Sequence, residues 1–403
     1  MLRVMKFGGT SVGNLDRITN AVQIIKKFRD AGDDIIAVVS AMSGETNKLI
    51  EYANHYSENP NEIEMDMLLS SGERVTSALL SIALNEQGYL TTSMSGREAG
   101  IITTSQHTSA RIEDINTKNM VKTISNGKII IVAGFQGVSV ENNRVTTLGR
   151  GGSDLTAVAL AGALKADICE IYTDVDGIYT TDPRIEPKAK KLEKISYDEM
   201  LELASSGAKV LQNRSVEMAK KLNVNLVSRS SFTPEIEGTL ITKEENIMEA
   251  PVVSGIALDR DQIRVGMYGV SDKPGIASSI FTALADADIN VDMIVQTRGL
   301  DIDTNLDFTV PSGAIEKTKQ VMVNFQNDCK KIDYNDAICK VSIVGVGMKS
   351  HTGVASKAFT AMAKDNININ IISTSEIKIS MIIDEKYAEL AVRSLHDAYE
   401  LDK

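Results

Sequence analysis

The C-terminal third of the chain contains an internal repeat, which constrains the fold more than any other feature. Residues 275–283 match residues 353–361 without a gap, an offset of 78, and Ile289-Asn290 matches Ile367-Asn368 at the same offset. Each copy predicts a strand, a helix led by glycine, two strands and a second helix, over about 70 residues. The repeat therefore predicts two related α+β modules. Duplicated packing modules that bind no ligand are the alternative interpretation.

The region before the repeat alternates apolar strand-like runs with helical periodicity. Strands are predicted at 2–7, 35–40, 129–133, 168–173 and 224–228, and helices at 15–31, 45–56, 63–87, from 153 onward and at 207–222. Such alternation favours an α/β domain whose mainly parallel sheet is covered by helices on both faces. We expect a domain at 1–245, a linker and strand at 246–262, and modules at 263–335 and 336–403.

Composition narrows the function classes. The 403 residues carry a net charge of −11, which argues against nucleic acid as a partner. The apolar runs are too short to span a membrane, and no secretory signal is recognisable, so a cytoplasmic location is expected. Cys169, Cys329 and Cys339 have no CxxC spacing and the four histidines are scattered, so no metal site is predicted from them.

A candidate phosphate cradle follows the first predicted strand. Lys6-Phe7-Gly8-Gly9-Thr10-Ser11 places two glycines and two hydroxyls between a strand and a helix. Glycine lets the backbone approach an anion, helix N–H groups point toward it, and Lys6 adds a positive charge. An ordinary turn with a solvated lysine is the alternative.

Other polar loops follow later predicted strands. They are 39–44, 149–154, where Ser153 is the predicted N-cap of a helix, and 173–184, which holds Asp174, Asp176 and Asp182. Ser71-Gly72-Glu73 lies inside the predicted 63–87 helix. Ligands of parallel sheets bind beyond the carboxyl ends of the strands, so these loops predict one site. The chain has neither a GxxxxGK[ST] motif nor the HRD and DFG motifs of protein kinases.

Together these motifs resemble the amino-acid kinase family, and within it the aspartokinases. The resemblance covers essentially the whole chain and rests on residues 6–12, 39–42, 71–73, 149–154 and 172–184. The repeat resembles a pair of ACT regulatory modules, through Asp272-Lys273-Pro274-Gly275 and residues 373–377. The resemblance implies the amino-acid kinase fold with two ferredoxin-like ACT modules, and transfer of a phosphoryl group from ATP, with Mg²⁺, to the β-carboxylate of L-aspartate.

The resemblance also assigns residues to the reaction. It implies catalytic roles for Lys6 and Asp154. The implied ATP-binding residues are Lys6, Phe7, Gly8, Gly9, Ser40, Thr173, Asp174, Tyr179, Asp182, Arg184 and Lys209. The implied aspartate-binding residues are Thr46, Glu73, Arg150, Gly151, Gly152 and Ser153, with Glu73 on the substrate ammonium and Arg150 on a carboxylate.

Regulation is implied by the ACT pair. Lysine or threonine, or both, would be effectors, and the implied effector-binding residues are Asp272, Gly275, Ala277, Gln296, Asn368 and Ile369. The implied assembly is a homo-oligomer, or a complex with a regulatory subunit started internally at Met248. Two other functions stay open: a non-catalytic amino-acid sensor, and a kinase of the same fold acting on acetylglutamate, glutamate or a nucleotide.

Overall fold

The computed structural model describes residues 1–208, 210–247, 251–271, 273–298 and 303–403. The chain divides into two compact units. The first contains residues 1–178, 191–204 and 209–248, and the second contains 179–190, 205–208 and 249–403. None of the described helices is both long and apolar enough to cross a membrane.

The first unit contains two sheets and eight α-helices within its described residues. Its strands are β1 (Leu2–Phe7), β2 (Asp34–Val39), β3 (Thr91–Met94), β4 (Ile101–Thr103), β5 (Ile112–Ile115), β6 (Ile129–Ala133), β7 (Gln136–Ser139), β8 (Val145–Thr147), β9 (Ile168–Thr173), β10 (Lys194–Ser196), β11 (Leu226–Ser230) and β12 (Thr239–Thr242). Its helices are α1 (Leu15–Asp30), α2 (Glu45–Tyr56), α3 (Glu62–Leu69), α4 (Ser71–Glu86), α5 (Lys118–Ser125), α6 (Gly152–Leu164), α7 (Tyr197–Ser205) and α8 (Asn213–Leu222).

The large sheet has eight strands in the order β10-β12-β11-β9-β1-β2-β6-β3, and only β11 and β12 pair antiparallel. A second sheet has the order β5-β4-β7-β8. On one face of the large sheet, α1 and α4 bury Val22 and Leu80 against Met5 and Phe7 of β1. Strand side chains alternate between faces, so Lys6 points to the opposite face, where α6 packs on β1.

The predicted fold class is confirmed, and three element predictions need correction. The predicted 63–87 helix is two helices, because the Ser70 and Ser71 hydroxyls bond backbone carbonyls at 3.1 and 2.6 Å and compete with the helix ladder. The 207–222 helix is shorter and begins at Asn213. The strand predicted at 224–228 begins two residues later, at Leu226.

The second unit contains the two predicted modules. Its strands are β13 (Gly255–Asp259), β14 (Ile263–Ser271), β15 (Asp292–Arg298), β16 (Asp303–Val310), β17 (Lys331–Asn335), β18 (Ile338–Val344), β19 (Ile371–Thr374) and β20 (Lys378–Asp384). Its helices are α9 (Ile276–Asp286), α10 (Ile315–Met322), α11 (Val354–Lys364) and α12 (Ala388–Ala398). Each copy has the predicted strand, helix, strand, strand, helix order.

Each module forms one antiparallel four-stranded sheet. The orders are β15-β16-β14-β17 and β13-β18-β20-β19. Strand β13 precedes the first module in the chain but pairs with β18 of the second, so the linker contributes an edge strand to the second module. Gly275 and Gly353, at φ of 101° and 88°, are the N-caps of α9 and α11 and adopt a left-handed conformation that favours glycine.

Candidate active site

The carboxyl ends of four neighbouring parallel strands meet at one edge of the large sheet. The register pairs Phe7 of β1 with Val39 of β2 and with Tyr172 of β9, and Val39 with Ala133 of β6. The chain therefore leaves the sheet at adjacent positions into the loops that start at Gly8, Ser40, Gly134 and Asp174. This is the edge at which α/β folds bind ligands.

The predicted phosphate cradle is a tight turn tied to β9. The Gly8 amide donates to the carbonyl of Tyr172 at 3.1 Å, and the Ser11 hydroxyl donates to the same oxygen at 3.2 Å. A Cβ on Gly9 would lie 3.1 Å from the carbonyl oxygen of Ala41, closer than side chains normally approach backbone. Gly9 therefore allows the cradle to pack against the loop after β2.

A cavity of about 280 Å³ opens beside the cradle. It brings together ten of the predicted site residues: Lys6, Gly9, Ser40, Thr46, Glu73, Arg150, Gly151, Gly152, Ser153 and Asp154. Its size and polar lining suit a small charged metabolite.

Lys6 and Asp154 form an ion pair inside this cavity. The Nζ atom of Lys6 lies 2.6 Å from Oδ1 of Asp154, and the side chains are 11% and 13% exposed. Asp154 is in the first turn of α6, where the helix dipole favours a negative charge. The pair holds an ammonium group at the carboxyl end of β1, next to the cradle.

The loop before α6 is shaped by glycines. Gly149 and Gly151 have φ of 76° and 72°, and Gly151, not Ser153, is the N-cap of the helix. The predicted Ser153 cap is therefore wrong, because the chain turns into the helix two residues earlier and Ser153 is already helical. A Cβ on Gly134 would lie 2.8 Å from Ser153 Oγ, so Gly134 lets the helix approach the end of β6.

Glu73 is a buried carboxylate in the wall of the cavity. It is 4% exposed and lies in the first turn of α4. Its Oε1 accepts the Ala41 amide at 3.1 Å, while Oε2 is buried and has no hydrogen-bond partner among the described residues. Burial raises the pKa of this carboxyl to about 7, although the Ala41 amide opposes the shift. Glu73 therefore offers an unsatisfied acceptor to a cationic ligand.

Comparison with known proteins fits these observations. Residues 1–227 match the model of the amino acid kinase family, and residues 264–322 and 341–399 each match an ACT domain model. An aspartokinase of Helicobacter pylori strain ATCC 700392 / 26695 is 60% identical over 407 aligned residues, covering 100% of both chains. The chain belongs to the aspartokinases of the amino acid kinase family. It is a kinase enzyme.

Solved aspartokinases share the fold. Escherichia coli aspartokinase III in complex with aspartate and ADP (R-state) superposes with a TM-score of 0.82 at 25% identity, covering 99% of each chain. The same enzyme in complex with lysine and aspartate (T-state) gives 0.81 at 25% identity, covering 98% of this chain and 99% of that one.

The predicted nucleotide residues lie in different environments. Thr173 ends β9 and Asp174 follows it, beside the cradle, and the Thr173 hydroxyl donates to Asp174 Oδ1 at 2.9 Å. Phe7 is fully buried and stacks on Tyr172 with ring centroids 4.9 Å apart, so its side chain belongs to the aspartokinase core. Gly8 offers only backbone to a ligand.

The other predicted nucleotide residues that the structure describes are not part of the cavity lining. Tyr179, Asp182 and Arg184 lie in segment 179–190, which belongs to the second unit. The Arg184 guanidinium lies 2.7 Å from Asp182 Oδ2, and this hydrogen bond lowers the pKa of Asp182. Lys209 lies outside the described residues, as does Met248.

The predicted effector residues lie in both ACT modules. Gly275 and Ala277 are at the start of α9, and Gln296 is on β15. Asn368 is exposed and Ile369 half-buried, just before β19, while Asp272 lies outside the described residues. Edge strands β15 and β19 contact each other, with Met293 packing in one cluster with Ile371.

Five further lining residues lie in the predicted loops 39–44 and 149–154, although the sequence assigned them no individual role: Ala41, Met42, Ser43, Gly44 and Gly149. Sequence reasoning missed Phe135, which also lines the cavity. Phe135 carries no comparable signal in the sequence, because its place depends on Gly134 and on the approach of α6.

Proposed function

We propose that this aspartokinase transfers the γ-phosphoryl group of ATP to the β-carboxylate of L-aspartate, in the cavity between Lys6, Glu73 and Arg150. The product would be 4-phospho-L-aspartate. The observation that carries the proposal is Glu73, which lines a cavity that Arg150 also lines and whose buried Oε2 has no hydrogen-bond partner among the described residues. The E. coli relative, crystallised with aspartate and ADP, supports the same substrates.

The amino-acid end of aspartate fits the charges in the cavity. Its ammonium would bind Glu73, satisfy Oε2 and keep the carboxyl ionised. Arg150 is exposed and would bind a substrate carboxylate through two N–H groups. The hydroxyls of Ser40, Thr46 and Ser153, with the Gly151 and Gly152 backbone, would complete the contacts.

The reaction needs charge stabilisation more than proton transfer. The β-carboxylate is ionised at neutral pH, so no general base is required. One of its oxygens would attack the γ-phosphorus as the bond to the ADP oxygen breaks, and the electron pair leaves with ADP. Two anions must approach each other, so catalysis would rest on oriented cations and N–H groups. That role would fall to Lys6, which Asp154 holds in place, and to the backbone of Gly8 and Gly9. All three residues are at the carboxyl end of β1, where the ligand would bind.

The protein offers little of its own to a metal ion. No group of three or more His, Cys, Asp or Glu side chains that could hold a metal occurs among the described residues. Mg²⁺ usually binds through one or two carboxylates together with substrate phosphates, so a magnesium ion would arrive with ATP. Asp154 and Asp174 are carboxylates of this chain near the cradle that would contact it, and the ion would neutralise phosphate charge.

The rest of the nucleotide is proposed to lie along Thr173, Asp174, Tyr179, Asp182, Arg184 and Lys209. Thr173 and Asp174 support this role because they leave the sheet next to β1, where the phosphates would bind. The assignment of the other four residues rests on the family motif.

Feedback control is proposed to act through the ACT modules, with lysine or threonine or both as effectors. The effector would contact Asp272, Gly275, Ala277, Gln296, Asn368 and Ile369. The E. coli enzyme crystallised with lysine in its T-state supports an amino-acid effector. A homo-oligomer, or a complex with a subunit started at Met248, is proposed as the assembly, in a cytoplasmic enzyme.

A coupled assay of ADP release tests the proposed substrate. We would compare L-aspartate, L-glutamate and N-acetyl-L-glutamate as acceptors, with Mg²⁺ and ATP in every case. Aspartate should give the highest kcat/KM, and N-acetyl-L-glutamate, which lacks the ammonium group that Glu73 would bind, should give the lowest. Preference for N-acetyl-L-glutamate, or no ADP release with any acceptor, would reject the proposal.

A further inference from the structure

A second buried carboxylate lies outside the cavity at the centre of a hydrogen-bond cluster. Asp66 of α3 is fully buried. Its Oδ1 accepts the Thr147 hydroxyl at 2.5 Å and the Thr108 amide at 3.0 Å, and its Oδ2 lies 2.6 Å from Nδ1 of His107. Burying a charge is costly unless hydrogen bonds replace water. Three donors from outside α3 supply those bonds to Asp66.

The cluster uses only one side of the His107 ring. His107 is 8% exposed. An ionised carboxylate only accepts hydrogen bonds, so Nδ1 of His107 carries the proton that faces Asp66. The opposite nitrogen, Nε2, is buried without a hydrogen-bond partner among the described residues. A buried polar atom without a partner lowers the stability of the fold, so the hydrogen bonds of this cluster are not complete.

The cluster lies close in the chain to both residues that are proposed to bind the amino acid, Glu73 and Arg150. Helix α3, which carries Asp66, runs into α4, which carries Glu73 seven residues later. Thr147 ends β8, and Arg150 follows three residues later. Asp66 therefore connects the element before Glu73 to the element before Arg150.

The loop containing His107 also supports the Arg150 loop directly. A Cβ on Gly149 would lie 3.4 Å from the Thr108 carbonyl oxygen and 3.8 Å from Ser109 Cα, so the two loops are in close contact. Arg214 of α8 donates to the Leu148 carbonyl at 2.7 Å and to the Ala110 carbonyl at 3.4 Å, so it links the same two loops. Both contacts hold the start of the Arg150 loop.

A buried hydrogen bond also restrains the turn between α3 and α4. The Gln136 side chain is 1% exposed and donates from Nε2 to the Ser70 carbonyl at 3.0 Å. Gln136 follows Phe135, which lines the cavity. A shift of α3 would therefore be transmitted to α4, because the turn between these helices has little freedom.

We propose that Asp66 and His107 are positioning residues that set the separation between Glu73 and Arg150. Neither is in the lining of the cavity, so they would act on the substrate only through those two residues. This inference rests on the proposed function, in which Glu73 binds the ammonium and Arg150 a carboxylate of the amino acid. The phosphate cradle follows β1, and none of the hydrogen bonds of the Asp66 side chain goes to it, so ATP binding should be unaffected.

Steady-state kinetics of the full chain test this role. His107→Leu removes the N–H donor and fills the same buried space with an apolar side chain of similar size. His107→Asn keeps an N–H donor that can reach Asp66. Glu64→Gln is the matched control, because Glu64 is on α3, is 69% exposed and contacts Arg144 at the surface. For each variant we would measure the KM of aspartate, the KM of ATP, kcat and the midpoint of thermal unfolding.

The expected result separates the two substrates. His107→Leu should raise the KM of aspartate roughly tenfold, equivalent to about 1.4 kcal/mol, while the KM of ATP changes less than about twofold. His107→Asn should restore the KM of aspartate to within about threefold of wild type. Glu64→Gln should behave as wild type. Asp66→Asn leaves one acceptor oxygen for three donors, so it should also raise the KM of aspartate. If His107→Leu does not fold, Asp66→Asn tests the positioning role in its place.

Three results would overturn the positioning role: an unchanged KM of aspartate in His107→Leu, equal rises in the KM of both substrates, or no rescue by His107→Asn. Failure of the proposed function looks different, because wild type itself would then show no turnover with aspartate. That result would reject both proposals, whereas an active wild type with an unaffected variant rejects only the role of Asp66 and His107.

Discussion

The ammonium of Lys6 and the carboxylate of Asp154 lie 2.6 Å apart, although 148 positions separate them in the chain. Lys6 comes from the carboxyl end of β1 and Asp154 from the first turn of α6, which packs on the same strand. The pair places a positive charge beside the phosphate cradle and limits its movement. Mutation can separate the contribution of this ion pair to stability from its contribution to the rate of phosphoryl transfer.

Lys6→Ala should lower kcat about 100-fold, because one lost contact to a developing phosphate charge is worth about 3 kcal/mol. It should also lower the unfolding midpoint, since Asp154 loses its partner while largely buried. The double variant Lys6→Ala/Asp154→Asn should recover the unfolding midpoint but not kcat. Calorimetry and ADP release measure the two effects, and activity of Lys6→Ala within a few-fold of wild type would remove Lys6 from the mechanism.

The pKa of Glu73 predicts a pH dependence of aspartate binding. Burial raises this pKa to about 7, so without substrate the carboxyl is increasingly protonated as the pH falls below 7. A protonated Glu73 cannot pair with an ammonium, so the KM of aspartate should rise about fivefold between pH 7 and pH 6. Kinetics at several pH values check this, and a KM that is flat from pH 8 to pH 6 would contradict it.

The same pKa shift predicts the effect of Glu73→Gln on stability. A carboxyl whose folded pKa is raised binds more protons in the native state, so the free energy of unfolding falls as the pH rises from about 4.5 through about 7. Glu73→Gln removes this ionisation and should be more stable than wild type at pH 8 by about 3 kcal/mol. Urea unfolding at pH 5 and pH 8 measures the difference, which should shrink at pH 5. The variant should lose aspartate binding.

Arg150→Lys should impair the use of aspartate far more than the use of ATP. Lysine keeps the charge but cannot make the planar two-point contact with a carboxylate, so the KM of aspartate should rise about tenfold or more. Arg144→Lys is the control, because Arg144 is exposed and contacts Glu64 at the surface. A higher KM for ATP with an unchanged KM for aspartate would assign this loop to the nucleotide instead.

Gln296→Ala should weaken feedback inhibition without lowering the uninhibited rate. Gln296 is exposed on edge strand β15 of the first ACT module, so its side chain does not support the core. Its loss would remove effector contacts, not chemistry, and should raise the inhibitory concentration of lysine or threonine about tenfold. Gln320→Ala, exposed on α10 of the same module, is the control. If neither amino acid inhibits wild type, alone or together, the regulatory proposal fails.

The sequence predicted those features that depend on local pattern. Periodicity indicated α1 and β1, and the repeat indicated the strand and helix order of both ACT modules. The motifs indicated Lys6, Arg150 and Asp154, which the cavity brings together. These succeed because the carboxyl ends of parallel strands converge at one edge, so loop position alone predicts proximity.

Features that depend on tertiary packing were not predictable. The break at Ser70 requires the hydroxyl bonds of two serines and the Gln136 contact, which no periodicity reveals. The raised pKa of Glu73 is a consequence of desolvation by surrounding elements. The Asp66–His107 pair joins residues from separate elements whose spacing in the sequence matches no motif.

Identification of the product tests the central claim most directly. An acyl phosphate reacts with hydroxylamine, so a reaction of the enzyme with ATP, Mg²⁺ and L-aspartate in the presence of hydroxylamine should form aspartate β-hydroxamate. Mass spectrometry would identify the hydroxamate and compare its amount with the ADP released. We expect equal amounts of β-hydroxamate and ADP from wild type, and about 100-fold slower formation of both from Lys6→Ala. Release of ADP without hydroxamate, or formation of the α-hydroxamate, would contradict phosphoryl transfer to the β-carboxylate.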